Sequence, residues 1–207
     1  MDLDPLTLRL MIVRGAERIV ANAEELCELD RAIGDGDHGT NMKRGLQAVL
    51  AKAEDIAALP TGEALSAIGR TLVMTVGGAS GPLYGSFFLA AGAAIERGRR
   101  LPEDLVDVVT AGVDAVGARG RSTAGEKTML DVLIPVLDTL KSEAGRADLL
   151  GQVKATARES TARTAPMLAT KGRAAYLGLR SVGHVDPGAR SSCLIVEAVC
   201  DTLEARR

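Results

Sequence analysis

Four segments rich in Gly, Ser, Thr and charge alternate with pairs of helical stretches, and that alternation restricts the fold more than any other feature. The segments are 28–41, 76–82, 117–126 and 170–189. Between them, apolar residues recur at helical spacing. Residues 6–27 carry Ile12, Ala16, Ile19, Ala23 and Leu26, spaced four, three, four, three. Met42, Leu46, Val49, Ala53 and Ile56 mark a second helix from His38 to Asp55. A third covers 63–75. The fourth covers 83–99, with Pro82 at its first turn. The fifth opens at Pro102. The sixth covers 127–141, where Pro135 should kink it or remove a hydrogen bond. The seventh and eighth cover 149–168 and 191–204. Alternating apolar and polar runs of strand length are missing. The pattern predicts an all-α protein, an antiparallel bundle of eight helices. In an up-and-down bundle, every second connection lands at the same end. The four polar loops follow helices one, three, five and seven, so they gather at one mouth. The plainer connections 57–62, 99–102 and 142–148 gather at the other.

A chain of 207 residues suits one domain, 1–207. Aromatics are only 2% and Trp is absent, so Ala, Leu, Val, Ile and Met must fill the core. The net charge of −2 gives no global field for nucleic acid or an anionic membrane. Thr71 to Ile95 carries no charge, yet Gly77, Gly78, Gly81 and Pro82 break it into pieces too short to span a bilayer. The first residues lack a basic export signal, and the three cysteines lack C-x-x-C spacing. Reduced thiols and a cytoplasmic location are expected.

The polar loops carry the chemistry. LDRAIGDGDHGTN, residues 29–41, sets Asp30, Asp35 and Asp37 among three glycines. Carboxylates this close repel unless a cation lies between them, and Mg²⁺ and Ca²⁺ take carboxylate oxygens. The plain alternative is a solvated acidic turn. An EF-hand is excluded, because Leu46 stands where its bidentate Glu belongs. Gly77-Gly-Ala-Ser-Gly81 offers backbone N–H groups and then a helix start, which receives phosphate well; a tight turn between close helices is the alternative. Residues 120–128 nearly spell a Walker A loop, but Glu126 is one residue too many and no strand precedes it. Lys127 is then expected in the first turn of a helix. His38 is either a participant or a hydrogen-bonded neighbour of the carboxylates, and Arg173 and Arg180 could clamp an anion. The inventory fits a metal–nucleotide diphosphate or triphosphate. Two Mg²⁺ would outweigh the three aspartates and leave positive charge facing the phosphates; one would not.

The motifs LDRAIGDGDHGTNMKRG (29–45), GGASGPLYGSFF (77–88), GEKTMLDVLIP (125–135) and KGRAAYLGLRSVGHVDPGARS (171–191) resemble those of the ADP-binding L subunit of dihydroxyacetone kinase, in the same order. That resemblance implies an eight-helix barrel with nucleotide at one mouth. It implies two Mg²⁺ on Asp30, Asp35 and Asp37. ADP or ATP would lie against His38, Gly39, Thr40, Asn41, Ala79, Ser80, Gly120, Met129, Arg173, Asp186, Pro187 and Gly188. No residue would act covalently. The phosphoryl group would pass to dihydroxyacetone on a partner K subunit. A phosphotransferase-system protein of the M type would recharge the bound ADP, and the sequence leaves room for a homodimer. Two other activities remain open: a subunit that exchanges ATP and serves another keto-sugar or small substrate, and a two-metal phosphatase. A third alternative is a scaffold that is no enzyme.

Overall fold

The computed structural model describes residues 3–206. Among them are ten α-helices, one 3₁₀ segment and no strand. The helices are α1 (Pro5–Ala21), α2 (Ala23–Ile33), α3 (His38–Leu50), α4 (Ala53–Ala57) and α5 (Thr61–Thr75). Then follow α6 (Ser80–Glu96), α7 (Leu105–Gly120), α8 (Leu130–Ser142), α9 (Leu149–Arg163), the 3₁₀ segment (Arg173–Ser181) and α10 (Pro187–Glu204).

Eight of the helices close a ring. In order, α1, α3, α5, α6, α7, α8, α9 and α10 each pack on the next, and α10 packs back on α1. The connections that follow the expected first, third, fifth and seventh helices meet at one end of the ring, as the alternation of loops predicts. The two further helices come from breaks in expected longer ones. Asn22 ends α1 by donating its amide to the Arg18 carbonyl at 2.7 Å, an alternative to continuing the helix. α2 then packs outside the ring against α3 and α10. Lys52 breaks the second expected helix into α3 and the short α4, which lies between α1 and α5 at the far end.

Small residues let the wall close tightly. A Cβ on Gly92 would sit 2.5 Å from the Gly62 carbonyl, so α5 and α6 approach as closely as backbones allow. This is why a core nearly without aromatics packs well. Leu8, Ile12, Ile19, Met42, Leu72, Val116 and Leu130 fill the barrel centre. Val132, Val136, Leu150, Val153 and Cys193 tie α8, α9 and α10 together. All three cysteines are buried and free. No described helix is long and apolar enough to cross a membrane; Thr71–Ile95 is split between α5 and α6.

Several further boundaries differ from the sequence expectation, most of them near the mouth. α2 runs to Ile33, so Asp30 stands on a helical turn and the acidic loop shrinks to 34–37. α6 starts at Ser80, three residues early, and Pro82 still falls in its first turn, where an N–H is not needed. α7 begins at Leu105 rather than Pro102 and ends at Gly120. α8 begins at Leu130, so Lys127 lies outside any helix. The 170–189 loop holds the 3₁₀ segment and the first turn of α10.

Candidate functional site

The four polar connections line one cavity of about 440 Å³. That volume lies in the range of small-molecule sites. Its wall includes Asp30, Asp35 and Asp37, the 77–80 turn, Gly120, Lys127–Met129, Arg173 and Asp186–Gly188. His38 and Asn41 complete it. Two sequence-predicted residues stand back from this wall. Gly39 is buried against α2, where a Cβ would strike the Ala23 carbonyl at 1.8 Å. Thr40 is exposed, with its hydroxyl 3.5 Å from Cys27 Sγ.

The acidic turn is built around Asp30. Its Oδ2 accepts the Asp37 N–H at 2.8 Å and the His38 N–H at 3.2 Å. These bonds pull the chain back over the end of α2 and leave Oδ1 above Gly34. A Cβ on Gly34 would lie 2.2 Å from that oxygen, so a larger residue there would push the carboxylate out of place. One carboxylate oxygen from each of Asp30, Asp35 and Asp37 then falls within 4.8 Å of the others. Partial burial raises the Asp30 pKa most; the two N–H donors oppose this, and the neighbouring carboxylates add to it. The donors are all oxygens, the cluster is anionic, and its geometry is set by a turn. That set fits a hard divalent cation such as Mg²⁺. Arg173 reaches Asp35 from the 3₁₀ segment and forms an ion pair. Both partners are substantially exposed, so the pair adds little stability.

Beside the carboxylates, His38 is buried and neutral. Burial drops its pKa to about 4 despite the Asp37 charge. Its Nδ1 meets Ser80 Oγ at 3.1 Å and its Nε2 meets Ser191 Oγ at 2.9 Å. Tyr84 continues the chain, with its hydroxyl 2.8 Å from both Ser191 Oγ and Ser192 Oγ. Burial pushes the phenol to about 12, so it stays protonated. The network ties the first turn of α6 to the N-terminal part of α10. Asn41 is oriented by Arg44, which donates to its Oδ1 at 2.7 Å and to the Thr75 carbonyl at 2.8 Å. The amide nitrogen of Asn41 lies about 4.0 Å from where a Cβ on Gly78 would sit, a donor beside the glycine turn. The N-terminal turn of α6 adds N–H groups that have no intrahelical acceptor.

The far wall rests on Lys127. It is 1% exposed, with φ at +62°, and its ammonium donates to the carbonyls of Thr164 (2.8 Å), Ala165 and Met167 (both 3.2 Å) and to that of His184. It therefore ties the end of α9 to both arms of the 164–186 connection. Asp131 supports the same turn, accepting the N–H groups of Gly125 and Thr128. Asp186 caps α10 by accepting the Ala189 N–H at 2.7 Å, with Pro187 next to it. Burial raises its pKa to about 7; Asp131 adds to this, and the Ala189 N–H and Lys127 oppose it. Tyr84, Arg44, Lys127, Asp131, Ser191 and Ser192 were not singled out as site residues by the sequence, because each reads there as an ordinary helix or loop residue.

The DAK2 domain profile matches residues 32–201. The chain belongs to the family of DhaL subunits. It is 44% identical over 186 residues to the "PEP-dependent dihydroxyacetone kinase 1, ADP-binding subunit DhaL" of Listeria innocua, covering 90% of each chain. It is 41% identical over 188 residues to the "PTS-dependent dihydroxyacetone kinase, ADP-binding subunit DhaL" of Lactococcus lactis, covering 90% of this chain and 92% of that one. These DhaL relatives are kinase subunits of the same length class. The fold also matches the dihydroxyacetone kinase of C. freundii, solved with AMP-PNP and Mg²⁺, with a TM-score of 0.79. There the identity is 22%, and the match covers 97% of this chain but 34% of that one. The fold of this chain thus corresponds to about a third of that polypeptide.

Proposed function

We propose that this chain holds Mg–ADP or Mg–ATP at the mouth of its barrel and delivers the terminal phosphoryl group to dihydroxyacetone carried by a partner K subunit. The observation that carries the reading is the meeting, in one cavity, of three carboxylate oxygens within 4.8 Å and the glycine turn that opens α6. Asp30, Asp35 and Asp37 would hold two Mg²⁺. When bound, Mg²⁺ supplies charge neutralisation at the phosphates and fixes their orientation. The chain's own residues do the rest. Ser80 and Ala79 at the α6 N-terminus and the Asn41 amide would donate to phosphate oxygens. Neutral His38 adds no positive charge and holds the Ser80 hydroxyl in place. Arg173 would neutralise charge at the cavity edge. Gly120, Met129 and the Asp186–Gly188 turn would shape the base and sugar end, with Gly39 and Thr40 supporting the turn from behind. No nucleophile is needed, since phosphoryl transfer of this kind rests on positioning and charge.

The names of the full-length relatives favour recharging of bound ADP by a phosphotransferase-system protein over exchange of free ATP. Retained nucleotide in the purified protein, read by native mass spectrometry, separates the two: bound ADP supports recharging, and empty protein supports exchange. Calorimetry tests the site itself. Asp35→Asn should weaken Mg²⁺-dependent ADP binding at least ten-fold and leave the helical circular dichroism unchanged. Undiminished binding would rule out the carboxylate site.

A further inference from the structure

Among the described residues, the cations that line the cavity are Arg119, Lys127, Lys171 and Arg173. Three of them are engaged away from the carboxylates. Lys127 serves backbone carbonyls. Lys171 donates to the Arg121 carbonyl at 2.5 Å and pairs with Glu126 at 3.6 Å. Arg119 donates to Ser86 Oγ at 3.3 Å. Of these cations, only Arg173 pairs with the acidic turn, at Asp35. Its backbone is seated while its side chain is free. Ala174 and Leu177 pack on Ile33 at the end of α2, which sets the 3₁₀ segment beside the acidic turn. The Arg173 side chain is 66% exposed. An exposed ion pair adds little to stability, so parting this one costs the fold little. The guanidinium can change partners by turning about its own side-chain bonds, with no movement of the segment.

The partner it changes to follows from the metal–nucleotide reading above, on which this inference rests. Asp30, Asp35 and Asp37 carry three negative charges, and the paired Arg173 offsets one. A divalent cation and the guanidinium draw on the same carboxylate and repel each other, so each weakens the other's hold. A nucleotide shifts that balance. Its phosphates bring new negative charge into the same cavity, and a guanidinium meets phosphate oxygens with two parallel N–H donors. We infer that Arg173 is an exchangeable counter-ion: it holds Asp35 against a bare divalent cation and passes to a phosphate when metal and nucleotide enter together. Arg173 thereby makes the binding of the two cooperative. The factor by which nucleotide tightens metal binding is also the factor by which metal tightens nucleotide binding. The site then selects the metal–nucleotide complex over the free cation, and the acidic turn resists filling with metal between nucleotides.

The test reads binding and needs no turnover. Mn²⁺, which suits the same oxygen donors, is titrated without nucleotide and followed by electron paramagnetic resonance. Low ionic strength keeps the exposed charges unscreened. Mg–ADP binding is followed by calorimetry. In Arg173→Gln, the affinity for Mn²⁺ alone should rise by roughly three-fold or more. The affinity for Mg–ADP should fall by roughly five-fold or more. Arg180→Gln removes the same charge from the same segment, at an exposed position outside the cavity wall, and should change neither affinity. Mn²⁺ binding in Arg173→Gln that is no tighter than in wild type overturns the inference. Tighter Mn²⁺ binding together with undiminished Mg–ADP binding also overturns it, because the guanidinium then never passes to phosphate. An equal rise in Arg180→Gln overturns it too, since net charge alone then accounts for the effect. Each of these results leaves the nucleotide reading standing. That reading fails separately, if Asp35→Asn binds Mg–ADP as tightly as wild type.

Discussion

His38 and Ser191 stand 153 positions apart in the chain, yet Nε2 and Oγ are 2.9 Å apart in the fold. Through Ser80 on its other nitrogen, His38 joins the start of α6 to the start of α10. The bond has a pH signature. The unfolded imidazole protonates near 6.5, the folded one only near about 4, because burial disfavours the cation. Between those values the unfolded chain binds more protons, so stability rises with pH across this window and is complete above it. The term amounts to at most about 3 kcal/mol. Urea unfolding of wild type and His38→Asn between pH 4 and 6.5 should show a clearly shallower rise for the variant. Parallel curves would mean that His38 is not the neutral, buried group described.

Two glycines of the acidic turn should fail in different ways. A Cβ on Gly34 comes closest to the Asp30 carboxylate oxygen at 2.2 Å, a side-chain atom that can move, and lies 3.1 Å from the Asp30 carbonyl. Gly34→Ala should fold, with its melting temperature within about 3 °C of wild type, a shift of roughly 1 kcal/mol, and should lose most Mg²⁺ affinity. A Cβ on Gly39 meets the Ala23 carbonyl, part of the backbone of α2. Gly39→Ala should cost about 1–3 kcal/mol or more by overpacking. Thermal melts alongside Mg²⁺ titrations check the pair. Equal losses in both variants would show that the turn and the fold cannot be separated.

The gathering of the four loops was legible because every second connection of an up-and-down bundle lands at the same end, whatever the details of packing. The three aspartates were legible as a cluster because they fall within eight positions, among glycines that let the chain turn back on itself. Helix boundaries at the mouth were not. Leu26 and Ile33 continue the apolar period of α2, but the charges between them masked it, and Asp30 read as loop. Asp186–Pro187 is an N-cap followed by proline, the same signal as Asp4–Pro5 at the start of α1, and the glycines around it hid it. Lys127 was least legible. Its partners are backbone carbonyls, which leave no mark in a sequence.

Asp186 gives the opposite pH slope to His38. Its folded pKa of about 7 lies above the unfolded 3.8. Between these values the folded chain holds the extra proton, so this term weakens the fold as pH rises from about 4 to 7 and then levels off. Asparagine caps a helix about as well as aspartate. Asp186→Asn should therefore keep α10 and remove this decline. The stability difference, variant minus wild type, should grow with pH over that window. A flat difference would place the carboxylate in contact with water.

Lys127 carries the prediction with the widest reach. Its ammonium serves carbonyls of Thr164, Ala165, Met167 and His184, and burial lowers its pKa while the Asp186 charge opposes the shift. Lys127→Met preserves length and apolar stem but leaves those carbonyls without their donor. Hydrogen bonds to a charged group are worth about 1.5–3 kcal/mol each, and neighbouring ones do not add fully. A net loss of about 3 kcal/mol would lower the melting temperature by roughly 6–12 °C in a domain of this size. The damage should be local first. Limited proteolysis should cut within 164–186, the connection that carries Arg173 and Asp186, before the barrel melts. Mg–ADP affinity should fall, while Mg²⁺ binding at Asp30, Asp35 and Asp37 without nucleotide should hold, since that turn is anchored on α2 and α3. A variant that melts within about 1 °C of wild type and resists protease at that segment would show that the buried ammonium does not hold the far wall.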